Sequence, residues 1–554
     1  MKVSRRDLLL GTAGLTAGIF FTPVPWKLLD DVSIWTQNWP WIPQPPRGPV
    51  STKLASCTLC ASGCALRVRM AAGFPVGISG SASHPLTKGA LCPLGFAAHQ
   101  LNWHPVRLRE VRHKGRSASW DEARAAFEKA CSEGPVGIVD GRSGRAASAA
   151  LRSFAANRNG TYEIALGAEE RALAPLAQWS SLPIHSLGYD LENTRTIVSF
   201  GAPLLDGWGI PGRFTRLWSE RAAGQSDPQL RIIQIEPALS RTGSGAWRWV
   251  PICQGTEALL AASLARILIE ERLVSITAPL PPASVAEAAI QTGLTPTAIR
   301  ELAHTIAERR PTLVLSSDEN PAVAALNLLL GSVGAPGGIV KRADRRTVPD
   351  AAPAQPLRAV LLDSTVPWEY RPQGSMEVFR FAAWDGGGNS ADWLLPAPGF
   401  LEEPTDLPTP PTSAVATYAI APNILTAPFP VKTAAEFLLQ IDSTLPTLDQ
   451  TVHARCEEIF RMRRGTIHAD KRTPVTSLAS AGKLEESLRA GGVWLDEPAS
   501  SHGLPCALKE WPAGDPRHRS GNWANTWAPP VMPPLAAKLY QESSLRETPQ
   551  RSQS

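Results

Sequence analysis

Ser56-Cys57-Thr58-Leu59-Cys60-Ala61-Ser62-Gly63-Cys64 is followed, after a Gly-, Ser- and Ala-rich bridge, by Leu86-Thr87-Lys88-Gly89-Ala90-Leu91-Cys92-Pro93-Leu94-Gly95. Three thiols crowd one tight loop and a fourth comes from a later turn, an arrangement that can wrap a cube of iron and sulfide. A zinc site usually pairs two short Cys-x2-4-Cys knuckles, and only one side is clustered here. Four unrelated buried thiols are the remaining reading. Half of the chain's 8 cysteines fall between positions 57 and 92, which weighs against it. The expectation is one [4Fe–4S] cluster on Cys57, Cys60, Cys64 and Cys92.

With Lys88-Gly89 just before the last cysteine and Gly95 just after it, this stretch resembles the N-terminal iron–sulfur domain of the molybdopterin oxidoreductase family. His104-Pro105-Val106-Arg107-Leu108 and Trp120-Asp121-Glu122-Ala123 continue that family's pattern in order. The resemblance implies a lysine between cluster and pterin, matched by Lys88. On chemistry alone, a lysine on a loop is a solvated charge.

The 554 residues are 43% apolar and 19% charged, an ordinary globular balance with room for several domains. A net charge of +5 without basic runs gives no sign of a nucleic-acid partner. At the start, Ser4-Arg5-Arg6-Asp7-Leu8-Leu9 precedes a largely apolar stretch to Phe21, a twin-arginine export signature. No small-x-small cleavage site follows, so an uncleaved N-terminal anchor is an open expectation. The Pro- and Trp-rich stretch 30–50 carries Trp35, Trp39 and Trp41 and reads as an extended arm, across a neighbour or over its own fold. It resembles the arm of molybdopterin-like subunits in menaquinone reductase complexes and, more distantly, in alternative complex III.

After Trp120, short β-branched runs alternate with helical stretches, as in doubly wound parallel sheets. Strands are expected at Gly137–Asp140, Thr196–Phe200, Arg231–Ile235 and Thr312–Leu315, with an Ala-rich helix through Asn157. No turn is a strict GxGxxG. The order of segments extends the family resemblance over about residues 51–440. It implies cofactor-side roles for Lys88, Gly201, Glu236, Gly255 and Thr256, with further signatures at Asn327 through Gly338 and from Trp393 to Glu403.

The expected fold class is α/β, a multidomain molybdopterin-oxidoreductase-like fold. Its expected parts are 1–29 signal or anchor, 30–50 arm, 51–115 [4Fe–4S] domain, 116–160 with 345–440 first α/β domain, 161–344 second α/β domain, and 441–554 shortened C-terminal domain with a Pro/Trp-rich tail. The departures from the family shape the functional expectation. After Gly160-Thr161-Tyr162, the window where the family supplies a ligand to molybdenum, no thiol or hydroxyl offers itself; Glu169 or Glu170 could offer oxygen, but two neighbouring carboxylates beside Arg171 read as a solvated face. Glu236 stands where an Asp is usual, and Gln254 replaces a Pro. Cys131, Cys253, Cys456 and Cys506 read as small buried hydrophobes, and no His pairing or Cys-x-x-Cys-His motif appears.

The expectation is therefore a periplasmic iron–sulfur subunit of a membrane-bound quinone oxidoreductase complex, exported by the Tat pathway. It would carry electrons through one cluster or serve as scaffold, with molybdopterin absent and no substrate-converting site of its own. By resemblance, its partners are a multihaem cytochrome c subunit, a ferredoxin-like iron–sulfur subunit, plus a multispanning quinone-binding membrane subunit. The alternatives are a complete molybdenum-bis(pterin dinucleotide) oxidoreductase for a small substrate and a cluster-inert assembly subunit.

Overall fold

Val136–Asp140, Thr196–Phe200 and Thr312–Ser316 are buried at every position. Strands with no exposed face need cover on both sides, which crossover helices supply in parallel sheets. The computed structural model describes residues 4–21, 48–276, 278–342, 356–386 (except 369, 371, 373 and 375), 391–469, 471–496, and 504, 506, 508 and 510–512. Most of the expected arm and the tail beyond 512 lie outside the described residues. The chain divides into two units: one holds Ser51 and the residues before it with Met70–Phe74, the other Thr52–Arg69 and everything from Pro75 onward.

In the first unit, Arg5–Phe21 is a helix. Ser4 caps it, accepting from Asp7 N at 3.1 Å and donating to the Asp7 carboxylate at 2.7 Å. Leu8, Leu9, Leu10, Leu15 and Phe21 are exposed. Among the described residues no helix is long and apolar enough to cross a membrane.

In the second unit, a four-stranded sheet runs Arg248–Pro251, Arg231–Glu236, Thr196–Phe200, Thr312–Ser316, all parallel. Alternate residues face opposite sides. Val198, Ile233 and Val314 pack under the helices Glu257–Glu270, Pro296–Glu308 and Pro321–Leu329. Ile197, Ile232 and Leu313 pack with Pro211–Arg221 and Ala174–Ser180. Asn327 pins its helix to the sheet, its amide accepting from Val314 N and donating to Val314 O, both at 2.8 Å.

A seven-stranded sheet runs Arg116–Ala118, Val111–His113, Trp393–Pro396, Glu377–Ala382, Ala359–Leu362, Val136–Asp140, Thr161–Ile164. Its five central and far-edge strands are parallel and the hairpin at the other edge is antiparallel. Phe127, from the helix Trp120–Glu133, meets Phe379 edge-on at 5.0 Å and is flanked by Phe154 and Phe437. The doubly wound α/β expectation describes both sheets.

Several strands fall outside the parts they were expected to join. Val111–His113 pairs with Trp393–Pro396, His113 stacking on Trp393 at 4.1 Å, so the hairpin belongs to this sheet. Thr161–Ile164 extends it beside Val136–Asp140 instead of opening the next region. Thr405–Leu407 and Ala416–Ala421 join Val493–Asp496, Thr466–His468 and Arg472–Pro474 in an antiparallel sheet. The helices Leu448–Met462 and Ala481–Arg489 cover it. In the first and last cases pairing across a long chain separation overrides the order of segments, whereas Thr161–Ile164 returns through one helix to the strand before it.

Candidate metal centre

The cysteine loop connects Val50–Ser56 to Ala65–Ala71, neighbours in a three-stranded sheet completed by Phe74–Gly80. Cys57 N donates to Cys64 O at 2.8 Å, which closes the loop and forces its three cysteines onto one turn. Gly63 takes φ +59, the left-handed region that glycine occupies without strain. The fourth cysteine arrives through a second turn built on His84. This buried ring accepts through Nδ1 from Leu86 N and Thr87 N at 3.2 Å each. Burial, then His468 and Arg216, hold its pKa down at about 4, so it stays neutral as an acceptor. Lys88 at φ +45 and Gly89 at φ +88 then reverse the chain. Cys92 caps the short helix Pro93–Ala97, its Sγ accepting from Gly95 N at 3.4 Å.

Cys57 and Cys64 are buried, while Cys60 and Cys92 are half-buried. The Cys57 thiol is pushed far up by burial and then by Cys60 and Cys92, against a downward pull from Arg142. Burial and the other three thiols do the same to Cys64, and burial and Cys60 raise Cys92. The four groups therefore converge, and they resist becoming four thiolates unless cations join them. Among the described residues no three Cys, His, Asp or Glu side chains stand close enough to hold a single ion. A cube that brings its own sulfides needs ligands spread around it; one zinc needs them together.

Two neighbouring residues, Arg142 and Gly212, were not singled out by the sequence. The Arg142 guanidinium donates to the carbonyls of Thr58 and Leu59, between the first two cysteines. Gly212 lets the N-terminus of the helix Pro211–Arg221 approach, for a Cβ there would meet Cys64 Sγ at 2.7 Å and Thr87 Cγ2 at 3.1 Å. The hydroxyls of Ser62 and Thr87 are buried without a hydrogen-bond partner among the described residues. Buried hydroxyls ordinarily find one, and cluster sulfides would accept from them. The donor set and the orphaned hydroxyls both fit a [4Fe–4S] cluster held by Cys57, Cys60, Cys64 and Cys92.

Residues 50–102 match the family described as "Molybdopterin oxidoreductase Fe4S4 domain". The chain carries that domain. The chain is 28% identical to the "Menaquinone reductase, molybdopterin-binding-like subunit" of Nitratidesulfovibrio vulgaris, over 87% of this chain and 78% of that one. A "Nitrate reductase" of Symbiobacterium thermophilum is 25% identical over 39% of this chain, and only 30% of its own length is covered. Among solved structures, acetylene hydratase from Pelobacter acetylenicus shares the fold, with TM-score 0.57 and 13% identity over 80% of this chain and 74% of that one.

Two further stretches of the resemblance meet in space beside the Fe4S4 domain. Arg107 pairs with Glu402, both almost fully buried, while Asn102 Oδ1 accepts from Arg107 at 3.0 Å and Glu402 accepts from Gly399 N at 2.8 Å. Among the described residues His99 and His104 make local side-chain bonds, to Phe96 O at 3.2 Å and from Val106 N at 3.3 Å. Lys88 Nζ lies 4.0 Å from Glu220 with both side chains about half exposed, a weak pair in water.

Gly201, Glu236, Gly255 and Thr256 all stand at C-terminal strand ends of the four-stranded sheet, where such folds bind ligands. The four are turned to different uses. Glu236 faces inward, accepting from Ser240 N and Gln234 Nε2 at 2.8 Å each, and a Cβ on Gly243 would collide with it. Thr256 Oγ1 donates to Cys253 O at 2.6 Å. Gly201 (φ +70) and Gly255 (φ +85) make the turns, with open space beside Gly255. Cys253 is exposed in that turn rather than buried as expected, since its backbone, not its thiol, ties the turn to Thr292.

The strand ends of the seven-stranded sheet carry a network that sequence order gave little sign of. Arg145 donates to Asp140 at 2.9 Å and to Asp363 at 2.7 Å, all three buried. Asp140 also accepts from Ser148 at 2.6 Å and Tyr162 at 2.9 Å. Nor is Glu169-Glu170 a solvated face. Glu170 is buried, and burial and Glu170 push Glu169 up to about 7. Their apparent partner Arg171 is taken by Asp318 at 2.7 and 2.6 Å, a pairing across 147 positions.

Proposed function

We propose that the chain is an iron–sulfur subunit of a membrane-bound quinone oxidoreductase complex, a carrier of electrons with no substrate-converting site of its own. The observation that carries this reading is a contrast between adjoining sites. The four thiols converge with orphaned hydroxyls around them, while the strand ends alongside are occupied by Arg145, Asp140 and Asp363. When bound, the cluster supplies one-electron outer-sphere transfer. The chain's own residues hold and orient it: the closed loop sets three ligands, Cys92 brings the fourth, and neutral His84 shapes the turn between them. Similarity to a menaquinone reductase subunit over most of both chains supports the quinone-linked setting.

In this reading molybdopterin is absent, and the partners are a multihaem cytochrome c subunit, a ferredoxin-like iron–sulfur subunit, plus a multispanning quinone-binding subunit. The chain works at the periplasmic face, exported by the Tat pathway. Arg5-Arg6 opening a capped helix with exposed leucines supports that address.

The second reading is a complete molybdenum enzyme, and Glu169 is the residue that favours it. A half-buried carboxyl poised at about 7 is an oxygen donor of the right kind in the window where a ligand is sought. Elemental analysis of the purified protein separates the two. About four irons per chain with molybdenum at background and no extractable pterin supports the electron carrier. Stoichiometric molybdenum with pterin overturns it.

A further inference from the structure

We infer that Arg142 is a positioning residue for the cluster. Its guanidinium ties the turn between Cys57 and Cys60 to the seven-stranded sheet and raises the electron affinity of what the thiolates hold. The inference rests on the cluster reading above.

Thr58 and Leu59 present two carbonyls in a tight turn that no regular structure pairs. One planar fork satisfies both, each through a separate guanidinium nitrogen. A lysine, a single point of charge, cannot bridge two acceptors in that way. The backbone that aims the fork is itself fixed. Arg142 N donates to Asp140 Oδ1 at 2.8 Å, and its carbonyl accepts from Arg145 Nε at 3.0 Å and Ser148 Oγ at 3.2 Å. Arg145 is in turn locked between Asp140 and Asp363. The buried network thus ends in a cation placed against the cysteine turn.

The charge acts on the thiols as well as on the carbonyls. Burial, with Arg145 beside it, lowers the Arg142 pKa, and Cys60 and Cys57 oppose that by favouring its charged form; Arg142 in turn pulls Cys57 down. Reduction adds one negative charge to the cluster, and a fixed neighbouring cation favours the more negative state. Lys88 carries the same charge, but it is half exposed and shared with Glu220, so solvent and salt screen it. Of the two cations, Arg142 has the larger effect.

The test uses the full-length loaded protein and its Arg142→Gln, Arg142→Lys and Lys88→Ala variants. Iron per chain is counted, and redox titration is followed by electron paramagnetic resonance. Arg142→Gln is expected to keep iron but hold an electron about tenfold less tightly, about 59 mV lower for a one-electron couple. Arg142→Lys should recover at least half of that shift, and Lys88→Ala should move the potential less than Arg142→Gln. An unmoved potential in Arg142→Gln, or a larger shift in Lys88→Ala, overturns the inference. Should Arg142→Gln lose its iron, Arg142→Lys decides. Iron kept, with a potential within a few-fold of the parent's affinity, supports the cation's role; iron lost there too marks a purely structural residue and overturns it. A parent protein without iron overturns the cluster reading itself, whereas iron with an unmoved potential overturns this inference alone.

Discussion

The cysteine turn and the strand ends of the seven-stranded sheet adjoin one another through Arg142, and they are finished in opposite ways. Around the cysteines, polar groups are left over: Ser62 and Thr87 keep unpaired hydroxyls, and the thiols raise one another's pKa. At the strand ends the groups satisfy each other. Against the cost of burial, Arg145, Ser148 and Tyr162 hold the Asp140 carboxyl below its ordinary range. Asp363 accepts from Thr365 Oγ1 at 2.6 Å, and a Cβ on Gly141 would sit 2.0 Å from Thr365 O. A buried polar site with unmet partners is built to receive something; one that closes its own bonds is built to hold the fold.

The comparison breaks most readily at the cysteines. Cys60→Ala removes one ligand from the turn, and the reduced protein should lose or change its electron paramagnetic resonance signal while iron falls below that of the parent. An identical spectrum and iron content would mean the unmet groups await nothing. At the strand ends, Arg145→Met leaves Asp140 and Asp363 buried without their cation, which should cost about 3–5 kcal/mol of stability and lower the denaturant midpoint accordingly. A midpoint equal to the parent's would show a solvent-filled site able to admit a ligand.

Next in size is an acid limit set by His84. Its folded pKa of about 4 lies below the ordinary 6.5, so the unfolded chain binds its proton first. The stability it leaves intact is full above pH 6.5 and falls as pH drops toward 4, by about 3 kcal/mol in all. Equilibrium unfolding at pH 7, 5.5 and 4.5 should show that fall, and His84→Gln should flatten its share of it. The smallest effect sharpens the contrast. Thr87→Val should leave the strand-end network untouched and slightly lower the potential of the loaded protein, since a hydroxyl donor to the cluster is lost. A stabilised variant with the same potential would make Thr87 an idle buried hydroxyl.

Much of this is legible locally. Spacing alone places Cys57, Cys60, Cys64 and Cys92 together, because ligands on one loop and one turn are a short-range pattern. The β-branched runs at Thr196–Phe200 and Thr312–Ser316 can be read nearly to the residue, since fully buried strands carry continuous apolar sequence. What stays hidden depends on distant partners. Arg142 lies in a Gly-Arg-Ser-Gly-Arg run that speaks only of a turn, and its targets lie 84 and 83 positions away. Glu169-Glu170-Arg171 looks self-neutralising until Asp318 draws the arginine off. Glu236 is matched by its place in the order of segments, but which way its carboxylate faces is decided by Gly243 and Ser240.

The Arg107–Glu402 pair, joining residues 295 positions apart, also says something about time. A ribosome delivers Cys57 through Cys92 long before Glu402, and before Leu407, whose side chain lies against Gly63 in the cysteine loop. Until those later residues emerge, the loop lacks one of its walls. The nascent chain therefore passes through an interval in which its thiols are open to iron carriers and oxidants alike. That interval ends only when the second half of the protein folds back to seal it.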